Sequence, residues 1–181
     1  MKKILLMGQA NVGKSVFFNR LAGARVAESN YPGTTVDYAK GRMLLEDEYV
    51  EIIDVPGTFS LEPKDRAEEV AVKMLEQEKE ALVICVIDSS KVERGLYLAL
   101  EIIERGYPVT VALNMWDVAK DGNIKINAKK LEQILGVPVV PTVAIRGEGF
   151  KELVSRMSEA APARIEEVIK RVESSQGGTH R

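Results

Sequence analysis

Short apolar runs alternate along the chain with segments in which apolar residues recur every three or four positions. Most of the runs end at a glycine or an aspartate and have the length of buried β-strands, whereas the intervening segments have the period of amphipathic helices. Strands and helices that alternate in this way form a mostly parallel sheet joined by crossover helices. The pattern therefore predicts an α/β fold with helices on both faces of the sheet.

Two consecutive apolar runs depart from this alternation. Residues 36–46 and 49–54 are separated only by a short acidic turn, so they predict a hairpin that adds one antiparallel edge strand. The segment 22–35 before this hairpin is predicted to be irregular. In all, the sequence predicts a six-stranded sheet, with strands at 2–7, 36–46, 49–54, 81–88, 108–114 and 138–143. The predicted helices lie at 14–21, 65–79, 93–106, 127–136 and 149–160.

The end of the chain is predicted to be a separate element. Apolar residues between Ile165 and Val172 have helical spacing and precede a glycine-rich finish. We expect residues 1–160 to form the α/β domain. Residues 161–181 are expected to form a helical extension, or the truncated start of a further helical domain, followed by a flexible tail. The sequence indicates no partner against which this last helix would pack.

The composition excludes several classes of function. At 181 residues with 45% hydrophobic side chains, the chain can bury one sizeable core. Its 25 basic and 27 acidic residues leave no positive excess, so nucleic acid is not expected as a partner. The apolar runs fall short of the ~20 residues needed to cross a bilayer, and we expect a soluble chain. The single cysteine, Cys85, lies in an apolar run and the single histidine lies in the tail, so no cluster of soft metal ligands is available.

The segment GQANVGKS lies between the first strand and the first helix and matches the phosphate-binding pattern G-x-x-x-x-G-K-[ST]. Backbone N–H groups at the start of the helix would face the phosphates of a nucleotide. The Lys14 ammonium would reach the β and γ oxygens, and the Ser15 hydroxyl would ligate magnesium. The pattern does not distinguish adenine from guanine nucleotides. The candidate contacts in this P-loop are Gly8, Gln9, Ala10, Asn11, Val12, Gly13, Lys14 and Ser15.

A second motif, DVPG, ends the strand at 49–54. It places an acidic group at the carboxyl edge of a neighbouring strand, where open α/β sheets bind their ligands. We expect Asp54 to hold magnesium through a water molecule and the Gly57 N–H to meet the γ-phosphate. Downstream of a P-loop, this short motif becomes strong evidence for a nucleoside triphosphate.

A third motif, NMWD, follows the strand at 108–114 and bears on the base. The Asp117 carboxylate can accept hydrogen bonds from guanine N1–H and the 2-amino group, which adenine cannot offer. After the next strand, the Ala144 N–H could donate to guanine O6. Without the other motifs, NMWD would be read as an Asx turn; with them it predicts a guanine nucleotide. The remaining candidate contacts around the base are Asn114, Met115, Thr142 and Val143.

The loop NYPGTTVD, residues 30–37, lies between the P-loop helix and the DVPG motif. It is polar, contains Gly33, and offers Thr34 and Thr35 as hydroxyl ligands for magnesium. A loop that closes over a γ-phosphate and relaxes after hydrolysis is the expected switch element of such a protein. A plain surface turn is the alternative.

Together these motifs resemble those of the P-loop GTPases, and their details resemble one family, the cytoplasmic G domain of ferrous iron transport protein B (FeoB). NMWD is similar to the family's Asn-Met-x-Asp, where most GTPases have lysine at the second position. NYPGTTVD resembles Asn-Trp-Pro-Gly-Val-Thr-Val-Glu, which assigns the magnesium threonine to Thr35. DVPGTFSL resembles Asp-Leu-Pro-Gly-Thr-Tyr-Ser-Leu. The likeness extends from Lys2 to Ala160.

The resemblance implies a Ras-like P-loop GTPase fold, GTP or GDP and Mg²⁺ as ligands, and a cytoplasmic location. It further implies a switch domain that regulates ferrous iron uptake, with the membrane transport domain of the same or a partner polypeptide as its partner. FeoB proteins continue into helical and membrane domains beyond the length of this chain. Direct iron binding by the G domain is not expected, because soft ligands are lacking.

The chain departs from the family in the P-loop, where Gln9 and Ala10 replace Asn-Pro, and at Val143, where serine is common. The glutamine that orients the attacking water in many GTPases is replaced by Thr58, so hydrolysis is expected to be slow. In the family, the asparagine that corresponds to Asn11 helps to bind a potassium ion that supports turnover; the alternative is that Asn11 only stabilises the loop. The candidate catalytic residues are Asn11, Lys14, Thr35 and Gly57.

Two other classes of function stay open. An Era-type ribosome-assembly or RNA-associated GTPase should carry Asn-Lys-x-Asp and often a basic appendage, and this chain has neither. A nucleotide-binding module without turnover is not excluded by the sequence.

Overall fold

The structure is a computed structural model that describes residues 2–23 and 26–176. Its centre is a seven-stranded sheet with the order β2-β3-β4-β1-β5-β6-β7. The strands are β1 (Lys3–Gly8), β2 (Ala27–Asn30), β3 (Asp37–Leu45), β4 (Glu48–Asp54), β5 (Leu82–Asp88), β6 (Val109–Asn114) and β7 (Val139–Pro141). The helices are α1 (Lys14–Leu21), α2 (Arg66–Gln77), α3 (Val92–Glu104), α4 (Trp116–Asp121), α5 (Ala128–Leu135), α6 (Phe150–Met157) and α7 (Ile165–Gln176).

The predicted α/β fold and the predicted hairpin are confirmed, but the sheet has seven strands where six were expected. Strands β4, β1, β5, β6 and β7 are parallel, and β3 is antiparallel to β4. The additional strand, β2, pairs with β3 and lies in the segment predicted to be irregular. All four of its residues are exposed, and their sequence, AESN, has no apolar alternation from which a strand could be recognised. The antiparallel strand is therefore second from the edge.

The core occupies both faces of the sheet, as the alternation of side chains along β1 requires. Leu5 and Met7 face the layer of α2 and α3, while Ile4 and Leu6 face the layer that contains α1 and α6. A parallel strand that is covered on both faces appears in the sequence as a continuous apolar run. This is why β1, β5 and β6 could be located from the sequence.

The C-terminal helix α7 has a packing partner, contrary to the expectation from the sequence. It lies against α3 and α5, and Val168 is buried there. Arg171 Nη1 donates to the carbonyl oxygen of Ile134 at 3.3 Å. The partner was not recognisable because α3 and α5 are distant in sequence. The predicted tail, residues 177–181, lies outside the described residues.

The topology brings several loops together at one edge of the sheet. Strands β1, β4, β6 and β7 are parallel, so the loops that follow them leave from the same edge, where ligands of open α/β sheets bind. Across the described part of the chain, the helices are too short or too polar for any of them to span a bilayer.

Candidate nucleotide-binding site

The P-loop joins β1 directly to α1 and turns through two residues with positive φ, Asn11 at 64° and Gly13 at 82°. A Cβ at Gly13 would lie 2.6 Å from Asn114 Nδ2, so this position requires glycine for both its backbone angle and its space. The same holds for space at Gly8, where a Cβ would lie 2.6 Å from the carbonyl oxygen of Val86. The P-loop lines an open cavity of about 320 Å³, and Gly57 also contributes to its wall.

Lys14 and Asp54, from the first and second motifs, form an ion pair beside the P-loop. The Lys14 ammonium donates to Asp54 Oδ1 and, at 2.5 Å, to the carbonyl oxygen of Val55. Both side chains are largely buried, with 12% and 14% of their surface exposed. An ion pair with so little solvent contact is screened weakly, so Asp54 and the Val55 carbonyl oxygen hold the lysine firmly beside the P-loop.

The donor set near the P-loop suits a hard divalent cation. Ser15 is exposed at the start of α1, and the Asp54 carboxylate is its acidic counterpart at the end of β4. One hydroxyl and one carboxylate leave most of an octahedral shell to water and phosphate, which is the coordination that Mg²⁺ prefers. These residues therefore fit magnesium better than a transition metal.

The DVPG loop packs against the P-loop through its backbone. The Thr58 N–H donates to the carbonyl oxygen of Gly8 at 3.0 Å. A Cβ at Gly57 would lie 3.2 Å from the backbone nitrogen of Ala10, so glycine permits this close approach. Thr58 is fully buried, and its hydroxyl donates to the carbonyl oxygen of Ser60 at 2.7 Å. The Thr58 side chain is thus committed to the loop and is not directed into the cavity.

Two carboxylates that sequence reasoning missed hold the rest of this loop. Glu68 is 5% exposed and accepts hydrogen bonds from the Phe59 and Lys64 N–H groups at 3.0 and 2.8 Å. Glu101 accepts from the Leu61 N–H at 2.8 Å. The burial of Glu68 could have been predicted from the sequence, because it lies four residues before the buried Val72 and so on the apolar face of α2.

Asn114 connects the base motif to the P-loop. It is 2% exposed, and its Nδ2 donates to the carbonyl oxygen of Val12 at 2.9 Å. Its Oδ1 accepts from the Ala144 N–H at 2.9 Å and from the Thr142 hydroxyl at 3.3 Å. The Ala144 N–H, which we assigned to guanine O6, is therefore engaged by Asn114 in this structure. Val143 beside it is buried.

Met115 immediately precedes the short helix α4, and Asp117 lies in its first turn; the sequence did not predict this helix. Met115 adopts a left-handed backbone, with φ of 55°, and its Cε lies 3.8 Å from the ideal Cβ position of Gly13. The thioether therefore lies beside the P-loop, where it could cover a base. Asp117 is in the first turn of α4, and its carboxylate is 20% exposed. Helix α4 was not recognisable in the sequence because six residues are too few to show a helical period of apolar positions.

The predicted switch loop forms the tip of the β2–β3 hairpin. The Thr34 hydroxyl donates to the carbonyl oxygen of Tyr31 at 2.8 Å and accepts from the Val36 N–H at 3.1 Å. The Tyr31 hydroxyl accepts from Gln77 on α2 at 2.9 Å. Thr35 is exposed and does not line the P-loop cavity. The structure thus places Ser15 directly after Lys14, which pairs with Asp54, while Thr35 stays with the hairpin.

Comparisons with known proteins identify a family that the chain matches. Residues 2–157 match the family described as Ferrous iron transport protein B. The chain is 40% identical over 159 residues to the Fe(2+) transporters FeoB of Shigella flexneri and Escherichia coli K12, which covers 84% of this chain and 21% of each transporter. The chain therefore spans about a fifth of the length of these curated relatives.

Solved structures give the same result for the fold. The chain superimposes on the GDP-bound form of an S. thermophilus NFeoB mutant with a TM-score of 0.82 and 37% identity, covering 90% of this chain and 63% of the other. The cytosolic domain of T. maritima FeoB in its GMPPNP form gives a TM-score of 0.82 at 39% identity, with coverages of 88% and 63%. The cytosolic domain of L. pneumophila FeoB gives 0.83 at 34% identity, with coverages of 90% and 72%.

Proposed function

The chain belongs to the ferrous iron transport protein B family, and from this premise we propose that it is a GTP-binding switch domain that hydrolyses GTP slowly and regulates ferrous iron uptake. The observation that carries this proposal is the buried Asn114 carboxamide. Because it bonds both to the P-loop at Val12 and to the loop after β7 at Ala144, it joins the phosphate cavity and the base motif into one continuous site. A site of this extent matches a whole nucleotide.

We assign the phosphates to the P-loop N–H groups and to Lys14, and the base to Asp117. Magnesium would be held by Ser15 and Asp54, with Thr35 joining only in the triphosphate state. When bound, the metal neutralises charge on the β and γ oxygens. Since Thr35 lies outside the cavity, its recruitment requires the hairpin tip to move towards the P-loop. This movement would make the loop a sensor of the γ-phosphate.

Water positioning falls to backbone groups in this proposal. The Thr58 hydroxyl is occupied by Ser60, so the nearest donor on the DVPG loop is the Gly57 N–H, on the rim of the P-loop cavity. A donor that meets the γ-phosphate without a side-chain base supports slow turnover.

Asn11 is the candidate ligand for potassium. It is exposed at the P-loop turn, with its backbone in the left-handed region, and no hydrogen bond joins its carboxamide to any other residue of the described ranges. Asparagine tolerates this left-handed backbone better than most residues, which is the structural alternative. The place of Asn11 in the lining of the P-loop cavity supports the cation role. A cation held by Asn11 would stabilise negative charge that develops on the phosphates in the transition state.

Iron coupling is proposed to be conformational. No group of three His, Cys, Asp or Glu side chains in ranges 2–23 and 26–176 could hold a metal ion. Burial raises the pKa of the Cys85 thiol to about 12, so this sulfur stays protonated and is a poor ligand. The solved relatives are cytosolic domains of FeoB transporters; we place this chain on the same side of the membrane, with a transport domain as its partner.

The base assignment is tested by replacing Asp117 with asparagine. The wild type should bind GTP far more tightly than ATP in calorimetric titrations with magnesium. Asp117→Asn should weaken GTP binding and favour xanthosine triphosphate, because the xanthine edge offers an acceptor where guanine offers a donor. Equal affinity of the wild type for ATP and GTP would refute the assignment. No structural observation favours an RNA-associated GTPase, since Met115 occupies the lysine position of that class.

A further inference from the structure

One cation lies directly against the carboxylate that we assign to the base. Arg146 Nη2 is 3.4 Å from Asp117 Oδ2. The Asp117 side chain is 20% exposed and the Arg146 side chain 59% exposed, so the pair is located at the rim of the base site. Arg146 belongs to none of the sequence motifs, and no step of the proposed mechanism uses it.

The loop that carries Arg146 is fixed by its own hydrogen bonds. Val143 and Glu148 form an antiparallel bridge, with N···O distances of 3.1 and 3.3 Å, that closes the loop. Inside it, the Arg146 N–H donates to the carbonyl oxygen of Val143 at 3.0 Å. From outside, Arg20 Nη2 donates to the carbonyl oxygen of Ile145 at 2.7 Å. The backbone therefore presents Arg146 to Asp117 from a defined position.

The loop also needs its glycines. Gly149 has φ of 82°, and a Cβ there would lie 2.2 Å from the carbonyl oxygen of Pro141. Gly147 has φ of 76° and follows Arg146 directly. Because these backbone angles are strained for other residues, the loop conformation that aims Arg146 is specified by the sequence.

Arginine and guanine offer the same kind of edge to a carboxylate. A guanidinium presents parallel N–H donors in one plane, and the guanine base presents its N1–H and 2-amino group in the same way. We propose that Arg146 is an internal competitor of guanine for the Asp117 carboxylate, so that it lowers the affinity for guanine nucleotides and accelerates their release. This inference rests on the proposed guanine site and adds a residue that regulates it.

The expected effect is moderate, because both partners of the pair contact solvent. Removing the guanidinium in Arg146→Gln should tighten GDP binding about two- to fivefold, the range that a partly exposed ion pair can supply. The release rate of GDP should fall by a similar factor. Both differences should shrink in 0.5 M NaCl, since salt screens such a pair. Arg146→Lys keeps the charge without the planar donor edge and should lie between the wild type and Arg146→Gln.

The test measures GDP affinity by calorimetry and GDP release by stopped-flow fluorescence of a labelled GDP. Glu148→Gln is the matched control, because Glu148 lies on the same loop, 3.7 Å from Arg146 Nη1. This control should not tighten GDP binding. Tightening in the control would mean that disturbance of the loop sets the affinity, and would overturn the proposal. Unchanged or weaker GDP binding by Arg146→Gln would overturn it as well.

A double-variant cycle separates this inference from the base assignment. In an Asp117→Asn background, with xanthosine diphosphate as the probe, adding Arg146→Gln should leave the affinity unchanged, because the carboxylate for which arginine competes is gone. A persisting effect would show that Arg146 acts elsewhere. If Asp117→Asn itself fails to change the preference between guanine and xanthine, the base assignment fails. If that preference changes while Arg146→Gln is silent in the wild-type background, only the competitor role fails.

Discussion

Asn114→Ala should lower the free energy of unfolding in the absence of nucleotide. The substitution removes two hydrogen bonds of 2.9 Å and one of 3.3 Å, and it leaves the Ala144 N–H and the Val12 carbonyl oxygen without their partner. Both of these residues are buried, with 3% and 4% exposure, so water replaces the lost bonds poorly. Two good bonds at about 1 kcal/mol each, together with the cost of the unpaired groups, give a loss of about 2–4 kcal/mol.

Urea titration monitored by circular dichroism measures this loss directly. For a chain of this size the midpoint of thermal unfolding should fall by roughly 4–16 °C. Thr142→Val is the matched control, because it removes only the 3.3 Å bond and keeps the side-chain shape, so it should cost less than about 1 kcal/mol. Equal losses in the two variants, or a loss below about 1 kcal/mol in Asn114→Ala, would refute the view that Asn114 joins the two parts of the site.

Three further predictions concern catalysis, the switch loop and pH. Replacing sodium with potassium should raise steady-state GTP hydrolysis, and Asn11→Ala should abolish that response while nearly preserving GDP affinity. Thr58→Ala should change the rate less than about tenfold, or ~1.4 kcal/mol of barrier. Identical wild-type rates in the two salts would return Asn11 to a structural role. Thr35→Ala should weaken magnesium-dependent binding of a non-hydrolysable GTP analogue but not of GDP, whereas Thr34→Ala should not discriminate between the two; a crystal structure with Thr34 on the metal would contradict this. The hydrogen bonds from Arg156 lower the pKa of Glu132, so the stability that Glu132 contributes is present above its unfolded pKa and is lost as pH falls through the lowered value. Urea titrations from pH 7 to pH 3 should show that the higher free energy of unfolding of the wild type, relative to Glu132→Gln, disappears as the pH falls. A difference in the free energy of unfolding that stays constant with pH would exclude this linkage.

The parts of the fold that were predictable depend on local chemistry. The P-loop needs a left-handed backbone at Gly13 and a helix that starts at Lys14, and these two neighbouring residues are recognisable in the sequence. Strands β1, β5 and β6 are buried on both faces and so appear as apolar runs. Asp54 and Asp117 follow such runs, and parallel strands bring their carboxyl ends to a common edge.

The parts that were not predictable depend on residues far apart in sequence. Strand β2 buries nothing and is defined only by its pairing with β3. Helix α7 finds its partners on α3 and α5, and Glu101 reaches the DVPG loop from α3, forty residues away. The contact between Arg146 and Asp117 likewise joins two loops. Such pairings follow from the assembled topology and leave no periodic trace in the chain.

The exposed strand β2 has a consequence for how the molecule opens. A strand that buries no side chain loses almost no apolar contact when it detaches, so its local opening costs far less than global unfolding. Strand β1, between β4 and β5 and buried along nearly its whole length, can exchange its amide hydrogens only when the whole domain unfolds. Amide exchange in this protein should therefore be graded across a single sheet, fast at β2 and slowest at β1. Strand β2, which leads into the loop that carries Thr35, can thus detach from β3 while the P-loop, which follows β1, keeps its shape.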